Sequence, residues 1–285
     1  MILILKLKLA AKLRLEAKSF QEGGVLNYQG EDRLIFKELI KFLDKKKTLT
    51  KYSDLLILEI GKFFLGTPYG AGTLETKRTE HLVINLREFD CMTFVENVVA
   101  LVWLVRSKKK SFEVFRRILQ KIRYRHGRLQ GYCSRLHYFS DWIHDNQKKG
   151  ILRDITAEIG GKPLRKAMTF MTKHPDLYPP LKNKANLRRM KSVERTISRR
   201  YLFFIPKKVM RRLEDRIRDG DLIAITMNRE GLDVQHVGLA ARVKNRIHLL
   251  HASSIEGKVV LSKKTLYQYL MQSKVRSGIM VARIC

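Results

Sequence analysis

His236-Val-Gly-Leu-Ala-Ala-Arg-Val243, Lys244-Asn245, Arg246-Ile-His-Leu-Leu-His251-Ala-Ser253 reads as two strands joined by a tight turn. With Lys244-Asn245 as the loop, Val243 lies opposite Arg246 and His251 falls opposite Gly238. Opposed residues share a face, and Gly238 shares one with His236, two positions away. The two histidines are then diagonal neighbours, about 7–8 Å apart at the backbone, a gap that two imidazoles can bridge. Gly238 has no side chain and leaves room between them. A slip of one residue would set His251 opposite Ala240 and part the pair, so the idea depends on register. His248 points to the other face from His251 and takes no role.

Around this hairpin the chain changes character after Asp219-Gly220-Asp221. Residues 222–226, 236–243, 247–253 and 258–261 read as strands with short connections, followed by a helix near 264–271 and a last strand over 278–284. Upstream, 31–43, 53–64, 90–106, 112–124 and 137–147 read as helices from apolar residues at three and four spacing. Gly66-Thr-Pro-Tyr-Gly-Ala-Gly72 is a loop by its glycines and Pro68. Residues 152–201, with Pro175, Pro179 and Pro180, read as an irregular insertion. Helices first and an antiparallel sheet second make an α+β protein. The reading divides it into an N-terminal extension and helix over 1–50 and a catalytic domain over 51–285, with the insertion at about 150–205.

The 285 residues suffice for a sizeable core. Cys91, Cys133 and Cys285 are odd in number and show neither a disulfide framework nor zinc spacing, so a functional thiol is allowed. No metal or cofactor is expected: H-E-x-x-H and the G-x-S-x-G elbow are both missing. The net charge of +31 attracts polyanions in general, and the densest segment includes Arg188, Arg189, Arg199, Arg200, Lys207, Lys208, Arg211 and Arg212. Nothing there resembles a nucleic-acid-binding motif, so a basic, solvated surface is expected and specific nucleic-acid binding is not. In MILILKLKLAAKLRLEAKSF, Lys6, Lys8, Lys12 and Arg14 break the apolar run that a secretory signal needs. No run of about 18 apolar residues exists for a membrane span. The chain as written reads as soluble and unexported, and as a monomer.

Cys91 stands where a loop enters a helix that is largely apolar after its first turn. Free N–H groups and the positive end of the helix dipole there favour a thiolate and could stabilise an oxyanion. Alone, a cysteine beside an apolar helix is ordinarily a core residue. A nucleophilic cysteine needs a histidine, and His236 with His251 as its orienter supplies one.

In order along the chain come Gly66-Thr-Pro-Tyr69, Phe89-Asp90-Cys91-Met-Thr-Phe, Asp219-Gly-Asp221, His236-Val-Gly and His251-Ala-Ser. This series resembles the NlpC-type papain-like cell-wall hydrolases. Asn85-Leu-Arg-Glu-Phe-Asp-Cys-Met-Thr-Phe-Val-Glu96, Tyr132-Cys-Ser-Arg-Leu-His-Tyr-Phe-Ser-Asp-Trp142, Gly231-Leu-Asp-Val-Gln-His-Val-Gly238 and Leu249-Leu-His-Ala-Ser253 resemble one branch of it, the N-acetylmuramoyl-L-alanine amidase-like family, long catalogued as a domain of unknown function. The resemblance runs from about residue 53 to the end. It implies a cysteine helix packed on an antiparallel sheet, a triad of Cys91, His236 and His251, and cleavage of the amide between the lactyl group of N-acetylmuramic acid and L-alanine in muropeptides. Tyr69 matches the family's loop tyrosine facing the site. Asp90 matches an aspartate that contacts a free amine in related peptidases; an amidase substrate offers no such amine, so Asp90 is structural or re-aimed. Met92 stands where a small hydroxyl residue is common, and Cys133 also departs from the pattern.

Arg135, His137, Tyr138, Asp141 and Trp142 suit a sugar–peptide ligand, with an aromatic face for the sugar and Arg135 for a carboxylate. The same stretch reads equally as a surface turn followed by an amphipathic helix with Trp142 as a core anchor; the resemblance tilts it toward binding. Other functions stay open: a γ-D-glutamyl-diamino-acid endopeptidase of the same fold, a non-catalytic basic protein that holds a polymer, or acyl transfer to an acceptor other than water. The expected partners are muropeptides or peptidoglycan fragments, which place the substrate in the periplasm or cell envelope.

Overall fold

The computed structural model describes residues 28–46, 53–75 and 79–285. The interrupted apolar run at the start, and with it the reading on export, lies outside the described residues. In chain order come α1 (Tyr28–Asp44), α2 (Ser53–Phe63), α3 (Cys91–Val105), α4 (Phe112–Arg123) and α5 (Phe139–Lys148), then β1 (Leu152–Asp154), β2 (Lys162–Leu164), α6 (Phe170–Lys173) and α7 (Lys184–Ser198). β3 (Leu202–Pro206) and α8 (Lys207–Leu213) lead into β4 (Leu222–Arg229), β5 (Leu232–Val243), β6 (Arg246–Ser253), β7 (Lys258–Thr265), α9 (Leu266–Met271) and β8 (Arg276–Ile284). The expected α+β order is present. No helix among the described residues is long and apolar enough to cross a membrane.

The hairpin forms in the expected register, from Val243↔Arg246 to Leu239↔Leu250. Lys244 (φ 45°) and Asn245 (φ 61°) are both left-handed. That is the conformation a two-residue hairpin adopts to match the twist of its strands. The sheet order is β2-β3-β8-β4-β5-β6-β7, with β1 also paired to β8, and every pairing is antiparallel.

Two apolar cores flank this sheet. Val237, Leu239, Ala241, Leu250 and Ala252 face the larger one, which also takes in apolar residues of α1 to α5. Ala240, Ile247 and Leu249 face the smaller one, with Met210 of α8 and Leu266 and Leu270 of α9. By strand alternation His236 and His251 belong to the second face, beside α9, while α3 packs on the first. The cysteine helix and the histidines thus lie on opposite faces and meet at the end of the sheet. α1 joins the larger core through Phe36, whose ring lies 5.3 Å from that of Phe112, and through Asp32, which accepts the Leu86 N–H at 2.8 Å.

The segment expected to be irregular is largely ordered secondary structure. β1 adds to β8 at Leu152↔Ile284, and β2 pairs β3 at one end of the strand order. α7 buries Met190, Glu194 and Ile197 and exposes Lys184, Arg188, Lys191, Arg195 and Arg199, the basic, solvated face expected from composition.

Candidate active site

α3 begins at Cys91 because Asp90 caps it. The Asp90 carboxylate accepts the Thr93 N–H at 2.7 Å and the Thr93 hydroxyl at 2.9 Å, and the Asp90 N–H donates back to the Thr93 hydroxyl at 3.0 Å. This reciprocal cap satisfies orphan donors of the first turn and sets where the helix starts. From Phe94 to Val102 every residue of α3 is buried, so the apolar run drives the helix into the core and leaves its first turn at the rim.

The Gly66–Tyr69 loop is zipped in beside it. Gly66 N–H donates to Val259 (2.8 Å), Tyr69 N–H to Gly257 (2.9 Å), and Phe89 N–H to Pro68 (3.0 Å). Tyr69 is thereby held next to the residues leading into Cys91. Burial raises the pKa of its hydroxyl, and the nearby Cys91 and Asp90 add to that.

The β5–β6 ladder ends at Leu239 and Leu250, and just beyond it the Val237 N–H is directed at the Cys91 sulfur, as are the N–H groups of Cys91 and Met92. On the same end of the hairpin, His236 Nε2 lies 2.6 Å from His251 Nδ1, the rings crossing at 86°. Gly238 permits this approach: a methyl there would stand 2.9 Å from His251 Cβ and 2.9 Å from the Leu250 carbonyl. If His236 Nε2 donates, His251 Nδ1 must be the bare acceptor, and His236 Nδ1 is the nitrogen left to take a proton.

Electrostatics favour the uncharged forms. Burial, reinforced by Asp90, pushes the Cys91 thiol up to about 12, against the pull of its three N–H donors. Burial brings His236 down to about 3, helped by His251 and Arg276, and His251 down to about 4, helped by Arg276. The free site therefore holds a thiol and two neutral imidazoles at neutral pH. Alkylation of Cys91 by iodoacetamide should accelerate about tenfold per pH unit from pH 7 to pH 10, tracking the thiolate fraction. A plateau between pH 5 and 8 would instead mean a resting thiolate–imidazolium pair.

The Tyr132–Trp142 stretch is placed differently from a ligand-facing patch. Trp142 is fully buried and stacks on Phe139 at 5.1 Å. Asp141 is clamped by Arg125 and Arg200, both at 2.6 Å, which hold its carboxyl below the usual range despite burial. The Tyr138 hydroxyl donates to Glu194 at 2.7 Å. Arg135 is buried, paired with Glu75 (2.7 Å) and Glu80 (3.4 Å) over the Tyr132 ring. His137 bonds the Tyr132 carbonyl at 2.9 Å, and burial lowers it to about 3. These side chains tie α5 to the helical insertion and to Glu75 and Glu80, and the charged groups and the Tyr138 hydroxyl are engaged within the protein. Two neighbours of the histidines were not anticipated: Tyr269, whose ring lies 6.3 Å from His236 and 5.8 Å from His251, and Arg276 behind it. Sequence position gives them no mark, since α9 packs on the hairpin, and β8 joins the sheet, only once the chain has folded.

Fold and site together define an α+β protein whose antiparallel sheet carries a histidine pair at the hairpin end where the Val237 N–H meets the Cys91 sulfur. Residues 59–279 match the N-acetylmuramoyl-L-alanine amidase-like (AmiA-like) family, and the chain belongs to it. A solved N-acetylmuramoyl-L-alanine amidase from Bacteroides uniformis is 41% identical over 81% of this chain and 98% of its own, with a TM-score of 0.78. A Bacteroides fragilis protein provisionally named a xylanase is 43% identical over 79% of this chain and 99% of its own, with a TM-score of 0.75. A Legionella pneumophila protein with a DUF1460 domain shares the fold at 23% identity and a TM-score of 0.68, over 90% of this chain and 95% of its own. No curated protein gives a significant match.

Proposed function

We propose that this chain is a cysteine amidohydrolase with a papain-like, NlpC-type core, cleaving the amide between N-acetylmuramic acid and L-alanine in muropeptides. The observation that carries this reading is the 2.6 Å contact between His236 and His251 at the hairpin end where Val237 meets the Cys91 sulfur. A tautomerically fixed imidazole beside a thiol is what acyl transfer by a cysteine requires.

The resting site begins uncharged, so His236 acts as a true general base. Its Nδ1 takes the Cys91 proton as the sulfur attacks the lactyl carbonyl, and the hydrogen bond to neutral His251 supports the imidazolium that forms. The oxyanion develops near the helix start, where the Cys91 N–H and the Tyr69 hydroxyl are the donors in reach. His236 then gives its proton to the departing L-alanine nitrogen. Water, deprotonated by His236, cleaves the thioester and releases the muramic acid carboxylate. Xylan hydrolysis would need a pair of carboxylates flanking a glycosidic bond; the one acid adjoining Cys91, Asp90, is engaged in the helix cap.

Defined muropeptides incubated with the wild type and with Cys91→Ala test the reading by mass spectrometry. Free sugar and an intact stem peptide, formed only by the wild type, are expected. Cleavage within the peptide would point to the γ-D-glutamyl endopeptidase instead. Equal activity in both proteins, or none in either, would sink the proposal.

A further inference from the structure

Tyr269 packs against both imidazoles from α9, tilted 32° to His236 and crossing His251 at 74°. The Arg276 guanidinium lies 3.9 Å above the centre of the Tyr269 ring and donates to the Tyr269 carbonyl. It enters from the first residue of β8, opposite Met227, where a bulge shifts the β4–β8 ladder. Among the described residues no carboxylate lies within ion-pairing distance of Arg276, and its Nε is buried without an acceptor. A cation on an aromatic face at this distance is held by the ring's quadrupole, and the contact strengthens as water is excluded.

We propose that Tyr269 and Arg276 are positioning residues of the histidine pair: the ring braces both imidazoles, and the guanidinium fixed on that ring supplies the positive field in which His236 works. The proposal rests on the reading of His236 as the base. Other groups facing the pair carry no fixed charge that acts on it. α3 brings the Cys91 thiol, with Asp90 turned into its cap and the Tyr69 phenol beside it; β7 sets Val260 opposite His251. Arg276 is the one cation that acts on both rings, and it lowers both after burial does. Because a protonated imidazole cannot accept a proton, this field keeps the base available in mildly acidic conditions. It also opposes the imidazolium during attack, so it sets the pH range of the enzyme at some expense in base strength.

The test is a titration of the free enzyme carrying ring-labelled histidine, followed by NMR from pH 3 to 9, with His236 and His251 assigned from single replacements. In the wild type both midpoints are expected below about 5, against an ordinary value of about 6.5. Arg276→Gln should raise both by about one unit, and Arg276→Lys, which keeps the charge, should stay near the wild type. Wild-type midpoints near the ordinary value, or no change in Arg276→Gln, overturn the proposal. The wild-type arm holds even where a variant fails to fold. No substrate is involved, so shifted midpoints together with intact muropeptides would remove the amidase reading and leave the coupling of Arg276 to the pair standing.

Discussion

Alanine at position 236 is expected to lower kcat for muropeptide hydrolysis by about 10²–10⁴-fold, the worth of a positioned general base. Alanine at position 251 is expected to lower it less, because the proposed base survives and loses only the partner at 2.6 Å that would fix its tautomer. The informative protein is the double variant. His251 touches the reaction only through His236, so the double is expected to be no slower than His236→Ala alone. Steady-state kinetics on the three proteins, with circular dichroism to confirm folding, measure this. If the double fell to the product of the two single losses, the histidines would be acting independently and the orienting role would fail.

Arg123→Met is expected to destabilise the protein by about 3–5 kcal/mol, the usual loss when one partner of a buried ion pair is removed. For a chain of this size that is on the order of 10 °C in Tm. Arg123 and Glu96 are each only 1% exposed and meet at 2.7 Å. Burial already outweighs the attraction of Arg123 and raises the Glu96 carboxyl above its ordinary value. Without the arginine that carboxyl is raised further. The folded variant then holds a proton to higher pH than the wild type does, so its deficit grows as pH rises past the raised value that Glu96 has in the wild type. Adding Glu96→Leu should recover part of the loss, since a well-packed apolar pair needs no charge compensation. Urea denaturation at two pH values decides it; an Arg123→Met protein within about 1 kcal/mol of the wild type would show that the pair is dispensable.

Much of this architecture could be read locally. A two-residue loop sets its own register, so Lys244-Asn245 was enough to place His251 beside Gly238 and within reach of His236. The apolar run behind Asp90 likewise announced a helix, which the structure starts at Cys91. The insertion resisted because β1 and β2 are three residues long and owe their existence to β8 and β3, which are far away in sequence. The Tyr132–Trp142 stretch stayed open between two readings for a related reason. A run of aromatic and charged residues looks alike whether it faces a ligand or the core, and only Arg125, Arg200 and Glu194, brought from three other places, turn Asp141 and Tyr138 inward.

By itself, the sequence determined the hairpin and its register, the helix that starts at Cys91, the α+β order and the family. Each follows from interactions within a dozen or so residues, or from motifs in fixed order. Tertiary structure alone decided that helix and histidines approach from opposite faces of the sheet, that Tyr269 and Arg276 stand behind the imidazoles, and that the site rests uncharged. Burial and field are sums over neighbours from many segments, and no single segment carries them.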